Sequence, residues 1–136
     1  MLTNGIATIF VTDMDRSVRF YTEILGMRLN QRYGNEWAQV EAGRLVIGLH
    51  PASGKNPAGR DGSITLGFTL STKIDDAVAK LQQKGVKFRG AITEEANAGK
   101  IVYFEDPDGN SMYLIEVRQW PQESSGEREY QNLSRA

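Results

Sequence analysis

The sequence predicts an α+β fold: two βαβββ modules that together form a curved mixed sheet around a cleft. Three observations predict it. Short β-branched or alternating apolar runs read as strands, because a period of two turns one strand face to a core. Only two segments carry helical periodicity, and each directly follows the first strand of a half. The order strand end, cap, helix, glycine runs from Val11 to Gly26 and recurs at constant spacing from Leu70 to Gly85, while Gly43 before a strand mirrors Gly109 before a strand. Such self-similarity marks a duplicated supersecondary unit.

The first module spans about residues 4–50. Residues 6–11 are short, apolar and β-branched, hence a strand. Asp13 then suits an N-cap, and Asp15 favours the first helical turn. Val18, Tyr21 and Leu25 share one helical face, which Phe20 and Ile24 widen. Gly26 stands where a left-handed C-terminal cap falls. Strands are expected at 27–33, 36–41 and 44–50, parted by Gly34-Asn35 and Ala42-Gly43.

Residues 51–62 read as a linker, with Pro51, Gly54, Pro57, Gly59 and Gly62 and little apolar content. The second module, 63–117, opens on 64–70, where bulky apolar residues alternate with Thr65, Gly67 and Thr69. Ser71 or Thr72 can cap a helix whose face is Ile74, Ala77, Val78 and Leu81, and Gly85 ends it. Strands follow near 87–93, 100–105 and 111–117, the last two joined by the turn Asp106-Pro107-Asp108-Gly109-Asn110. One domain therefore covers 1–117. Residues 118–136 are a polar tail with isolated Trp120, Tyr130 and Leu133, either mobile or docked on a partner.

Composition removes whole classes of function. Of 136 residues, 40% are hydrophobic and 24% charged, the profile of one ordinary domain. Sixteen Lys plus Arg against 17 Asp plus Glu leave a net charge of −1, with no global footprint for nucleic acid or an anionic membrane. There is no cysteine, so disulfides, thiolate catalysis and Cys-ligated metals are excluded. His50 is the one histidine, so a single chain cannot build a three-His, two-His-one-carboxylate or HExxH metal site. No apolar run approaches the ~18 residues of a membrane span. No basic stretch precedes an apolar one near the N-terminus, so a cytoplasmic location is expected.

Three segments carry a resemblance. The stretch from Val11-Thr12-Asp13 through Ser17-Val18 to Phe20-Tyr21, the step Leu25-Gly26-Met27, and the turn Asp106-Pro107-Asp108-Gly109-Asn110 stand in a set order. Together with the doubled βαβββ pattern, they resemble the vicinal oxygen chelate superfamily over about residues 4–117. That superfamily includes glyoxalase I, extradiol dioxygenases, and fosfomycin and bleomycin resistance proteins. The resemblance implies a divalent metal held by one ligand from each of four strands. Carried over position by position, those ligands fall on Ile6, Gly48, Thr65 and Tyr113. Ile and Gly offer no side-chain donor, and Thr and Tyr are weak choices. A shift by one residue reaches only Ile47, Leu49, Ile64, Leu66, Met112 or Leu114. The expectation is no bound metal and no cofactor.

His50 shares strand parity with Gly48, so it points to the same side as the vacated ligand position and is a candidate base or hydrogen-bond donor. Aligning Gly43 with Gly109 pairs His50 with Glu116, which makes that carboxylate its candidate acid/base partner. Gly48, Thr65 and Gly67 are small and leave space on the face opposite the helices. Tyr33, Trp37, Gln39 and Tyr103 are the candidate walls of a ligand site there, with Tyr113 also on it. A phosphate-loop reading of Gly54-Lys55-Asn56 fails on spacing and on Asn56, though Lys55 and Arg60 can edge the cleft and attract an anion.

The expected function is to bind a small organic molecule in the cleft without the family metal. The resemblance makes bleomycin resistance proteins the nearest pattern. A lyase, isomerase or dioxygenase of glyoxalase type, metal-dependent or metal-free, is the alternative. A structural dimer with a vestigial site is another. The resemblance also implies a homodimer.

Overall fold

The computed structural model describes residues 1, 3, 5–59, 64–96 and 98–117; the expected tail, Arg60 and the end of the linker lie outside them. The first module runs β1 (Ala7–Val11), α1 (Met14–Arg19), β2 (Arg28–Tyr33), β3 (Trp37–Ala42) and β4 (Leu45–Pro51). The second runs β5 (Leu66–Thr69), α2 (Ile74–Gln83), β6 (Phe88–Glu95), β7 (Gly99–Glu105) and β8 (Ser111–Val117). The mixed sheet is built as two four-stranded halves, ordered β1-β4-β3-β2 and β5-β8-β7-β6. In each half the last three strands pair antiparallel in sequence, and the first strand lies parallel to the last at the sheet edge. The βαβββ repeat is thus a fact of topology.

Local chemistry explains the helices. Asp13 is the N-cap of α1, and its carboxylate accepts from the Arg16 backbone N–H at 3.1 Å. The helix passes into one π-helical turn over Phe20–Ile24, closed by Leu25 N–H donating to Phe20 O at 3.0 Å. Helix α2 departs from expectation at its start. Lys73, not Ser71 or Thr72, holds the N-cap position and gives no side-chain cap. The carboxylate of Glu116, arriving from β8, accepts the Ile74 N–H at 2.8 Å instead.

The core lies between each helix and its sheet. Val11, Val18, Tyr21, Val40, Ile47 and Leu49 are buried in the first module, and Ile74, Val102, Phe104, Met112 and Leu114 in the second. The modules are tied through the very segments that carried the resemblance. Asp108, its side chain 3% exposed, accepts from Thr12 N–H and Thr12 Oγ1 and pairs with Arg16 at 3.0 Å. Buried Tyr21 donates its hydroxyl to Asp106 at 2.8 Å. Asn110 donates to Phe10 O at 3.3 Å and to Asp106 at 2.8 Å, and accepts from Gly59 N–H at 3.2 Å. At Gly59 the linker lies flat on this turn: φ is +65°, and a Cβ there would strike the Asp108 carbonyl. Only glycine meets both demands.

Candidate functional site

Strand parity sorts the side chains of the first sheet. Ala38, Val40, Ile47 and Leu49 turn to the helix side and are buried. Trp37, Gln39 and Glu41 of β3, and Gly48 and His50 of β4, therefore share the opposite, open face. Across β1, Thr8 pairs with Gly48 and Phe10 with His50. The His50 ring meets Phe10 edge-on at 5.7 Å and Trp37 at 6.4 Å. Its Nδ1 sits 2.9 Å from the Pro51 carbonyl. A carbonyl only accepts, so Nδ1 carries the proton in that bond and the neutral ring keeps an acceptor lone pair on Nε2.

Beside the aromatics, the face turns polar. Gln31 donates to Gln39 at 3.1 Å. Glu41 accepts from Asn30 at 3.0 Å and pairs with Arg28. The Asn30 hydrogen bond, reinforced by Arg28, holds the Glu41 carboxyl below its ordinary value. Residue Asn30 sits where the β2–β3 ladder shifts register, so a bulge re-aims it toward Glu41.

The second sheet repeats the plan. Tyr103 and Tyr113 face one another at 5.7 Å, and Thr65 Oγ1 donates to Ser111 Oγ at 3.0 Å. Of the expected open positions, Gly48 and Gly67 are not vacant. A Cβ on Gly48 would overlap the six-membered ring of Trp37, and one on Gly67 would overlap the Tyr113 ring. The sequence reading took small residues for empty space. Neighbouring aromatics lie across them, which is what a glycine in a strand often permits.

Glu116 also stands elsewhere than the repeat suggested. The ladders pair Phe10 with His50 but Thr69 with Ile115, so the structural counterpart of His50 is Ile115. Aligning the two turn glycines was off by one residue, and one residue reverses the face. His50 lies on the open face, whereas Glu116 follows Met112 and Leu114 to the helix side and caps α2.

The same ladders place Gly48 opposite Thr8 and Tyr113 opposite Gly67, so these are matching positions of the two modules. The side chains there do not fit the family's divalent metal. Gly48 is roofed by Trp37, Tyr113 lies across Gly67, Thr65 is engaged with Ser111, and Ile6 is apolar. Among the described residues no group of three or more His, Asp and Glu could hold an ion.

A cavity of about 610 Å³ opens between the modules. It runs between β1 and β5, lined by Ile6, Thr8, Phe10, Leu66, Ser111 and Met112 among others, with Lys55 of the linker also against it. The expected walls Tyr33, Trp37, Gln39 and Tyr103 do not line this cavity; Gly48, His50 and Thr65 only adjoin it, the first two as ladder partners of Thr8 and Phe10 and the third through Ser111. Thr8, Phe10 and Ser111 escaped the sequence reading. Their alternation along β1 and β8 was the signal that could have found them. A second cavity, about 500 Å³, also lies between the modules, lined by Leu25, Met27 and Leu45 of the first and by Phe68, Leu114 and the expected site residue Gly67 of the second.

Comparison with known proteins agrees with this geometry. The family profile described as Glyoxalase/Bleomycin resistance protein/Dioxygenase superfamily matches residues 5–114. A virulence protein of Salmonella typhimurium is 34% identical over 121 residues, 81% of this chain and 78% of that protein. A protein of Vibrio parahaemolyticus named as a probable lactoylglutathione lyase is 34% identical over 131 residues, 85% of this chain and 89% of that one. The crystal structure of an antibiotic binding protein from Streptomyces superposes with a TM-score of 0.70 at 25% identity, covering 87% of this chain and 98% of that one.

Proposed function

Because the chain belongs to the Glyoxalase/Bleomycin resistance protein/Dioxygenase superfamily, we propose that it binds a small organic molecule between its two modules, without the divalent metal of the family's enzymes. The observation that carries this is the cavity of about 610 Å³. It is mostly apolar, holds a few polar groups, and adjoins the Phe10–His50–Trp37 cluster. Those are the marks of a small-molecule site. Likeness to an antibiotic binding protein supports the same reading.

The test joins two measurements. Elemental analysis of protein grown in metal-supplemented medium is expected to give no stoichiometric metal. A thermal-shift panel of drug-like and metabolite-like molecules is expected to give at least one saturable rise in Tm, by mass action on the folded state. One equivalent of Zn, Ni, Mn or Fe per chain, or a panel without hits, defeats the proposal. We further propose a homodimer. Ile6, Tyr33 and Tyr103 are 50, 63 and 45% exposed and leave apolar surface for a second copy to cover. Light scattering at micromolar concentration checks it, and a monomer refutes it.

The relative named as a lyase favours a second reading, in which His50 Nε2 abstracts a proton from the bound molecule without a metal. Turnover of a hemithioacetal by the metal-free protein, lost in His50→Gln, would establish it.

A further inference from the structure

The inter-module cavity is electrostatically one-sided. Among the described residues its lining includes no Asp or Glu, and Lys55 is the one charged side chain. Lys55 is exposed and makes no ion pair among the described residues. Of the other polar side chains there, Asn110 is fully occupied and Ser111 half so. Asn110 uses both its amide hydrogens and its carbonyl within the turn that joins the modules. Ser111 accepts from Thr65 and keeps its own hydroxyl hydrogen to donate.

The edge of β1 adds a donor. In a strand, both backbone groups of a residue point to one side, and successive residues alternate. Val11 O accepts from Ala52 N at 2.8 Å, beside β4, whereas Phe10 O is reached by Asn110. Ala7, Ile9 and Val11 therefore turn their backbone groups to β4. Ile6, Thr8 and Phe10 turn theirs outward, since β1 ends its sheet. The Lys55 cation, the hydroxyls of Thr8 and Ser111 and the outward N–H groups of β1, with the Ile6 and Thr8 carbonyls turned the same way, surround an otherwise apolar space. Acceptor chemistry with negative charge completes that set.

We infer that the occupant is an amphiphilic monoanion: an elongated apolar molecule carrying one carboxylate, seated with that carboxylate at Lys55 and its apolar body between β1 and β5. This rests on the reading of the cavity as the binding site. A cationic molecule would meet Lys55 with repulsion. A neutral one would leave the ammonium unpaired as the ligand covers it.

Isothermal titration calorimetry with decanoate, its neutral counterpart decanamide and decylamine tests the assignment, with 1-naphthoate and 1-naphthamide as an aromatic pair. Lys55 is exposed, so Lys55→Gln and Lys55→Arg leave the fold intact. The wild type is expected to prefer a carboxylate over its amide by about tenfold, the size of one charge-assisted hydrogen bond. That preference should shrink in high salt, disappear in Lys55→Gln and survive in Lys55→Arg. Equal binding of acid and amide, tighter binding of the amine, or a preference untouched by Lys55→Gln overturns the anion assignment while the cavity remains a binding site. Absence of binding by all five compounds overturns the assignment and the binding site together.

Discussion

Tyr21 and Asp106 show how a motif residue can be chemical in type and structural in use. Burial pushes the Asp106 carboxyl above its ordinary value, against the pull of hydrogen bonds from Asn110, Tyr21 and the Asp108 N–H. Burial, and then the charge of Asp106, raises the Tyr21 hydroxyl well above 10.0. The raised carboxyl fixes the sign of a pH effect. Just above 3.8, the unfolded chain has released a proton that the folded chain still holds. Folding therefore takes up a proton, and this group's contribution to stability falls as pH rises through the folded pKa. Asp106→Asn should flatten that slope in urea unfolding measured across mild acid; parallel profiles for variant and wild type would place the slope elsewhere. At neutral pH the same variant should be less stable by about 1–3 kcal/mol, because an amide nitrogen would face donors that now meet a carboxylate.

Among elements, α2 and β8 divide what the sequence revealed from what it hid. The periodicity of Ile74, Ala77, Val78 and Leu81 announced the helix, but its cap comes from Glu116, 42 positions away in the chain. Local capping rules look only a few residues ahead, so Ser71 and Thr72 drew the assignment. Glu116 in turn looked catalytic because a repeat aligned by its glycines slipped by one position. Glu116→Ala should cost about 1 kcal/mol of stability, with Glu116→Gln costing less, since the amide keeps an acceptor but loses the charge at the helix start. Ligand affinity should be unchanged in both; a variant that binds more weakly at full stability would return Glu116 to the site. The β3–β4 pair carries a parallel lesson. Gly48 was legible as a small residue on the open face, whereas the Trp37 ring across it required the ladder register. Gly48→Ala should displace that ring, change tryptophan fluorescence in a Trp120→Phe background, and cost about 1–3 kcal/mol by overpacking. An unchanged spectrum and Tm would mean that Trp37 does not rest there.

For the molecule as a whole, duplication was legible because turn glycines, caps and apolar periods repeat along the chain. A cleft was expected, but its place was not legible, since it lies where β1 meets β5 and no single segment encodes that junction. Yet the most recognisable residues are the ones that build the junction: Thr12 and Arg16 at the start of α1, Tyr21, and the turn from Asp106 to Asn110. A prediction follows about what each module can do alone. Residues 1–59 form four strands and one short helix, a size at which a chain buries only about 60% of its unfolded surface. Cut from its partner, that module would expose Tyr21, which is now fully buried, and would leave its hydroxyl without Asp106. Thr12 and Arg16 would lose Asp108 at the same time. The duplicated unit is therefore a unit of pattern, not of folding. The isolated segment 1–59 should give a collapsed amide proton spectrum and no cooperative melt, while mixing it with segment 64–117 should restore dispersion at concentrations where each alone has none. If 1–59 alone showed a dispersed spectrum and a sharp unfolding transition, the junction would serve the cavity only, and the Asp106 to Asn110 turn would not be what holds the fold together.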